Sequence, residues 1–207
     1  MPIFSLDTEP FDKLSIWNIE EDCDHFFHKL DLDKTTQLSL NQRFTNKLSL
    51  RQFLASRYLI VLQTGHHFFD IKKDTKGKIR PIDGQHISIS HSGNWACVSK
   101  SRKRNGIDIQ IAKPSLFRIA KRFIKPPILT KYMVHSDSDD LIYFDWGIKE
   151  SIFKAYGQGG LNYQKDIELD LTKDKPMIST LHKEHSKSYR IYYIKTANFY
   201  LSYVVEL

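Results

Sequence analysis

The chain has 207 residues, of which 41% are hydrophobic, 13% aromatic and 27% charged, a balance that excludes disorder and supports a core without staples. A net charge of +7 from 31 basic and 24 acidic residues suits an acidic partner or a polyphosphate, but acids are mixed in throughout and no nucleic-acid-binding motif accompanies it. Two cysteines, Cys23 and Cys97, make no C-x-x-C pair, no apolar run approaches the ~20 residues that span a bilayer, and Met1 to Phe11 lacks a secretory pattern; a cytoplasmic protein is expected.

The first third reads as helical. Asp22 to Leu30 and Leu40 to Leu62 place apolar residues, among them Leu40, Phe44, Phe53, Leu54, Tyr58 and Val61, at roughly helical spacing, and Gly65 is a stop. Arg43, Lys47, Arg51 and Arg57 recur along this segment, most simply as solvated charges. Cys23, His25 and His28 lack a fourth ligand nearby and do not read as a zinc site.

After Gly65 the period changes. Phe68 to Ile71 reads as extended and Asp74 to Lys78 as a turn. His86 to His91 alternates strictly, Ser92-Gly93-Asn94 turns, and Trp95 to Ser99 returns. Lys100 to Arg104 reads either as a solvated basic hairpin tip or as a phosphate or carrier contact. With Asn105-Gly106 as a second turn, Gly106 to Ile111 is predicted as the third strand of a meander. In that strand alternation sends Ile107 and Ile109 to one face and Asp108 and Gln110 to the other. By itself this is also what a half-exposed strand with a polar outer face looks like.

Lys113-Pro114-Ser115 introduces a helix with Leu116, Ile119, Ala120 and Phe123 on one side and Arg118, Lys121, Arg122 and Lys125 on the other. The bases are either a charged outer face or a contact for an acidic protein. After Pro126-Pro127, Asp137 to Asp140 reads as an acidic loop before a helix around Trp146 to Lys154. Ser188 to Lys195 and Phe199 to Leu207 are predicted strands. Helices and strands come in blocks, which predicts an α+β fold with antiparallel sheets.

On the Trp146 helix, at about 100° per residue, Gly147, Glu150, Ser151 and Lys154 share a narrow polar arc. Lys149 falls inside the apolar arc, so either its stem snorkels outward or a carboxylate holds its ammonium. Glu150 and Lys154 are one turn apart and would also suit a simple i, i+4 ion pair. Gly157-Gln158-Gly159-Gly160 ends the helix.

Gly106-Ile107-Asp108-Ile109-Gln110 and Trp146-Gly147-Ile148-Lys149-Glu150-Ser151-Ile152-Phe153-Lys154 together resemble the strand and helix signatures of the 4'-phosphopantetheinyl transferase superfamily. Gly77-Lys78 resembles its G-K-P element and Ile89-Ser90-His91-Ser92 its N-[LI]-S-H-S strand end. Arg51 to Arg57 resembles an early arginine-bounded helix, so the likeness runs over residues 47 to 161. Gln110 stands where many members have a second acid, Gly147 replaces a small hydroxyl residue, and Phe123 to Pro127 lacks a glutamate often found there.

The resemblance implies a magnesium-dependent enzyme that moves the phosphopantetheine arm of coenzyme A onto a serine of an acyl or peptidyl carrier protein, releasing adenosine 3',5'-bisphosphate. It implies two similar halves, residues 1–104 and 105–207, each an antiparallel sheet packed with helices and related by a pseudo-twofold, in a monomer. Asp108 and Glu150, with Gln110 as a neutral third, would hold Mg2+. Glu150, directly or through a water, would take the serine proton, and Lys154 would neutralise the pyrophosphate. Lys78, Ser90, His91 and Lys154 would contact coenzyme A phosphates, Lys47 and Arg51 the 3'-phosphate, and the Arg118 and Arg122 face an acidic carrier. A non-catalytic coenzyme A or phosphate-binding module of the same fold is the alternative.

Overall fold

The computed structural model describes residues 3–4, 14–173, 178–182 and 186–207. The chain divides into two compact units, residues 1–100 and 101–207, each with its own antiparallel sheet, and the α+β class predicted from sequence is the observed one.

The first unit contains β1 (Ile3–Phe4), β2 (Ser15–Asn18), α1 (Cys23–Lys29), α2 (Lys34–Arg43), α3 (Lys47–Thr64), β3 (His86–Ser92) and β4 (Trp95–Ser101), with strand order β1-β2-β4-β3. The single helix expected over Leu40 to Leu62 is two. Phe44 turns extended, and the Asn46 side chain accepts from the Leu48 and Ser49 amides to start α3, an N-cap that the apolar spacing hides. Gly65 ends α3 in the left-handed region at φ 71, where a side chain would be strained. Phe68–Asp70 is a short 3-10 turn and not a strand, since His67 and Asp70 close a capping box there. The core gathers Trp17, Phe26, Leu54, Leu59, Ala96 and Val98, with Trp17 edge-on to Phe26 and Tyr58 at 6.1 and 5.5 Å.

The second unit contains β5 (Asn105–Gln110), α4 (Ser115–Ile119), α5 (Pro126–Met133), α6 (Ser138–Tyr156), β6 (Ile167–Glu168), β7 (Ile178–Leu181), β8 (Lys187–Lys195) and β9 (Tyr200–Glu206). Its strand order is β5-β9-β8-β7-β6. The predicted three-strand meander is therefore wrong in its third member: β5 leaves β4 and pairs with β9, Asp108 opposite Ser202. The Asn105-Gly106 turn signal is local, whereas the β9 edge that satisfies the β5 backbone lies at the far end of the chain. Pro126-Pro127 starts α5, as suits a residue with fixed φ and no amide to leave unpaired in a first helical turn. Asp139 and Asp140 are the first turn of α6 and not a loop, where negative charge meets the positive end of the helix dipole.

The amphipathic pattern after Pro114 is realised in two pieces, α4 and a 3-10 turn over Ala120–Arg122. Leu116, Ala120 and Phe123 are buried, and Arg118, Lys121 and Arg122 are exposed. No helix among the described residues is long and apolar enough to cross a membrane.

Candidate active site

Two glycines bring strand and helix together in the second unit. A Cβ on Gly106 of β5 would lie 1.8 Å from the Ser151 carbonyl oxygen of α6, and one on Gly147 would lie 2.8 Å from Ser202 Oγ on β9. Gly106 has no room for a side chain, because backbone stands in the way, and at Gly147 the Ser202 hydroxyl would have to move. Ser151 Oγ donates to the Ser202 carbonyl at 3.1 Å, tying α6 across both strands. The strand face that carries Asp108 is thus covered by the helix, and the half-exposed outer face is not what forms.

Under this contact the polar arc of α6 meets Asp108. Lys154 Nζ donates to Asp108 Oδ1 and to the Ile107 carbonyl, each at 2.8 Å. Glu150 Oε1 accepts from the Tyr163 hydroxyl at 2.9 Å. Burial pushes the Glu150 carboxyl above its ordinary range; the Tyr163 hydrogen bond opposes that, the Asp108 charge adds to it, and Lys154 offsets part. Burial, followed by the Glu150 charge, raises the Tyr163 phenol well beyond its ordinary value, so it stays an O–H donor. Trp146 and Phe153 hold the Tyr163 ring at 5.9 and 6.2 Å.

Three predicted residues, Asp108, Glu150 and Lys154, are therefore within electrostatic reach of one another. Gln110 ends β5, two residues along the same face, half-buried and opposite Tyr200. The remaining candidates belong to the first unit. Lys47 and Arg51 lie one turn apart at the start of α3. The Lys78 amide donates to Asp74 Oδ1 at 2.9 Å, Ser90 is buried in β3, and His91 beside it is exposed.

Of the two outcomes open for Lys149, a carboxylate holds it. Its ammonium lies 2.6 Å from Asp145 Oδ1 and donates to the Phe123 carbonyl at 2.7 Å, with both side chains buried. Tyr132 donates to Asp145 Oδ2 at 3.2 Å and accepts from the Leu171 amide. Burial raises the Asp145 carboxyl and lowers the Lys149 ammonium against their mutual attraction. Tyr163 and Asp145 were missed by sequence reasoning. The i, i+4 spacing of Asp145 and Lys149 could have found the second; nothing local marks the first.

A model of the 4'-phosphopantetheinyl transferase superfamily matches residues 104–204, which hold β5, α6 and every second-unit residue just described. The chain is 32% identical over 141 residues to a 4'-phosphopantetheinyl transferase of Bacillus subtilis, covering 67% of this chain and 58% of that protein. It is 29% identical over 174 residues to 4'-phosphopantetheinyl transferase Sfp of Bacillus subtilis (strain 168), covering 82% and 72%. It is also 25% identical over 165 residues to 4'-phosphopantetheinyl transferase psf-1 of Bacillus pumilus, covering 77% and 70%. With the strand and helix that carry the acids inside the matched region, the chain belongs to the 4'-phosphopantetheinyl transferase superfamily.

Proposed function

We propose that this protein is a 4'-phosphopantetheinyl transferase that moves the phosphopantetheine arm of coenzyme A onto a serine of an acyl or peptidyl carrier protein. The observation that carries the reading is the meeting of Asp108, Glu150 and Lys154 where α6 closes on β5. In the reaction the serine oxygen bonds to the phosphorus next to the pantetheine, and the bond from that phosphorus to the bridging oxygen breaks. Adenosine 3',5'-bisphosphate leaves.

The donor set fits magnesium. Asp108 and Glu150 are hard oxygen ligands whose charges oppose one another, and a divalent cation relieves that repulsion. Magnesium takes one or two carboxylates and keeps waters and phosphate oxygens. Asp108 and Glu150 would hold it, with Gln110 as a neutral third donor. When bound, it polarises the phosphoryl oxygens as a Lewis acid.

The side chains supply the rest. Glu150, with its raised proton affinity, takes the serine proton, and Tyr163 fixes its orientation. Lys154 turns its ammonium from Asp108 toward the charge that builds on the leaving pyrophosphate oxygen. Lys47, Arg51, Lys78, Ser90 and His91 contact coenzyme A phosphates, and the exposed Arg118 and Arg122 steer an acidic carrier. The same reading has the protein act as a cytoplasmic monomer. Incubation with coenzyme A, magnesium and an apo carrier should add the phosphopantetheine mass to the carrier serine. No transfer to any member of a broad carrier panel overturns it.

A further inference from the structure

Glu150 and Lys154 stand one turn apart on α6, the spacing at which a helix pairs opposite charges on its own surface. They are close enough to act on one another electrostatically, yet among the described residues no ion pair joins them. Lys154 directs its ammonium to Asp108 Oδ1 and the Ile107 carbonyl, and Glu150 Oε1 accepts from the Tyr163 hydroxyl at 2.9 Å. Something overrides the pairing that α6 favours by itself, and Tyr163 is the side chain placed to do so.

Tyr163 sits on a strap, residues 157–166, that turns back along α6. Gly157, Gly159 and Gly160 take left-handed φ of 70, 74 and 68, conformations that would strain a side chain, and they reverse the chain after Tyr156. Beyond them the strap is fixed on both sides of the phenol. Asn162 Oδ1 accepts from the Gln164 and Lys165 amides at 3.1 and 3.0 Å, and the Asn162 amide donates to Asp166 Oδ2 at 2.7 Å. Gln164 Nε2 donates to the Ile124 carbonyl at 2.8 Å and to the Lys121 carbonyl, pinning the strap to the segment after α4. With Trp146 and Phe153 against the ring, the hydroxyl has its place before Glu150 meets it. A donor already ordered bonds a carboxylate at less entropic cost than a long lysine stem does.

We propose that Tyr163 is a positioning residue that keeps Glu150 and Lys154 apart, holding one oxygen of the acid while the ammonium stays with Asp108. This parting belongs to the metal-free protein; only its use, in keeping both groups ready for a metal and a phosphate, rests on the transferase reading. A Glu150–Lys154 pair would offset the charge of both members, and a divalent cation would have to break it before binding.

Tyr163→Phe removes the hydroxyl and keeps the ring between Trp146 and Phe153. A crystal structure of the metal-free variant should show Glu150 within ion-pair distance of Lys154; a Glu150 that stays where it stands in the parent overturns the proposal. Manganese binding in the presence of coenzyme A, followed by loss of the free-ion electron paramagnetic resonance signal, reads the consequence. Affinity should fall by about tenfold in Tyr163→Phe. Lys154→Met removes the competing ammonium, so in that background Tyr163→Phe should change manganese affinity by about twofold at most. An equal loss in both backgrounds would mean that the phenol acts on Glu150 without regard to Lys154, and overturns the proposal. Glu150 found on Lys154 in the variant, beside a parent that takes up no manganese with coenzyme A, would sink the metal site of the transferase reading and leave the positioning role standing.

Discussion

Helix α6 carries two ammonium–carboxylate pairs of nearly equal length, Lys149–Asp145 at 2.6 Å and Lys154–Asp108 at 2.8 Å. Their surroundings differ. The first is dry, with side chains 2% and 0% exposed, and its members also bond the Phe123 carbonyl and Tyr132. The second is open on the lysine side, 25% against 9%, and its neighbours include a carboxylate with raised proton affinity. A pair sealed on all sides can only hold structure. A pair with one member reaching water can trade partners, which is what binding a metal and a phosphate demands.

Breaking the open pair should cost activity first. Asp108→Ala and Glu150→Ala are each expected to lower transfer by about 10³-fold or more, read by carrier mass shift, while circular dichroism stays that of the parent. Near-parent turnover in either variant would show that the acids are not the site. Breaking the sealed pair should cost stability instead. Lys149→Ala strands a buried Asp145 and should destabilise by about 3 to 5 kcal/mol in urea unfolding, whereas Lys149→Met combined with Asp145→Leu should recover most of that. Loss of activity without loss of stability in Lys149→Ala would place Lys149 in the chemistry.

Glu150 has its folded-state proton affinity raised, so the folded form keeps its proton to higher pH than the unfolded chain. Stability therefore falls as pH rises from the ordinary glutamate range through the raised value, and the penalty is constant above it. In metal-free buffer Glu150→Gln should be modestly more stable than the parent at neutral pH and no different at low pH. A pH-independent gap would mean that the strain is steric. The smallest effect is expected at Gln110: Gln110→Glu should keep or raise transfer and lower the magnesium concentration needed. A severe loss would argue that the neutral side chain is required.

The convergence of Asp108, Glu150 and Lys154 was legible because each depends on a local period, two along β5 and 3.6 along α6. The Gly65 and Gly157 stops and the β8–β9 hairpin were legible for the same reason. The partner of β5 was not, since β9 follows it by some ninety residues and strand choice depends on which distant edge is open. The Asn46 cap and the Pro126 start were overlooked though both are local signals. Arg57, buried on α3, and Tyr163 were beyond reach, because burial of a charged or phenolic side chain is decided by what packs over it.

Gly106 makes the spacing of β5 and α6 a property of the main chain. With backbone touching backbone between β5 and α6, the gap separating Asp108 from Glu150 does not depend on the size or rotamer of an intervening residue. Drift in the surrounding core can therefore alter how firmly the second unit folds while leaving the span between its acids almost unchanged. That is one way for a sequence to diverge widely and keep the same chemistry.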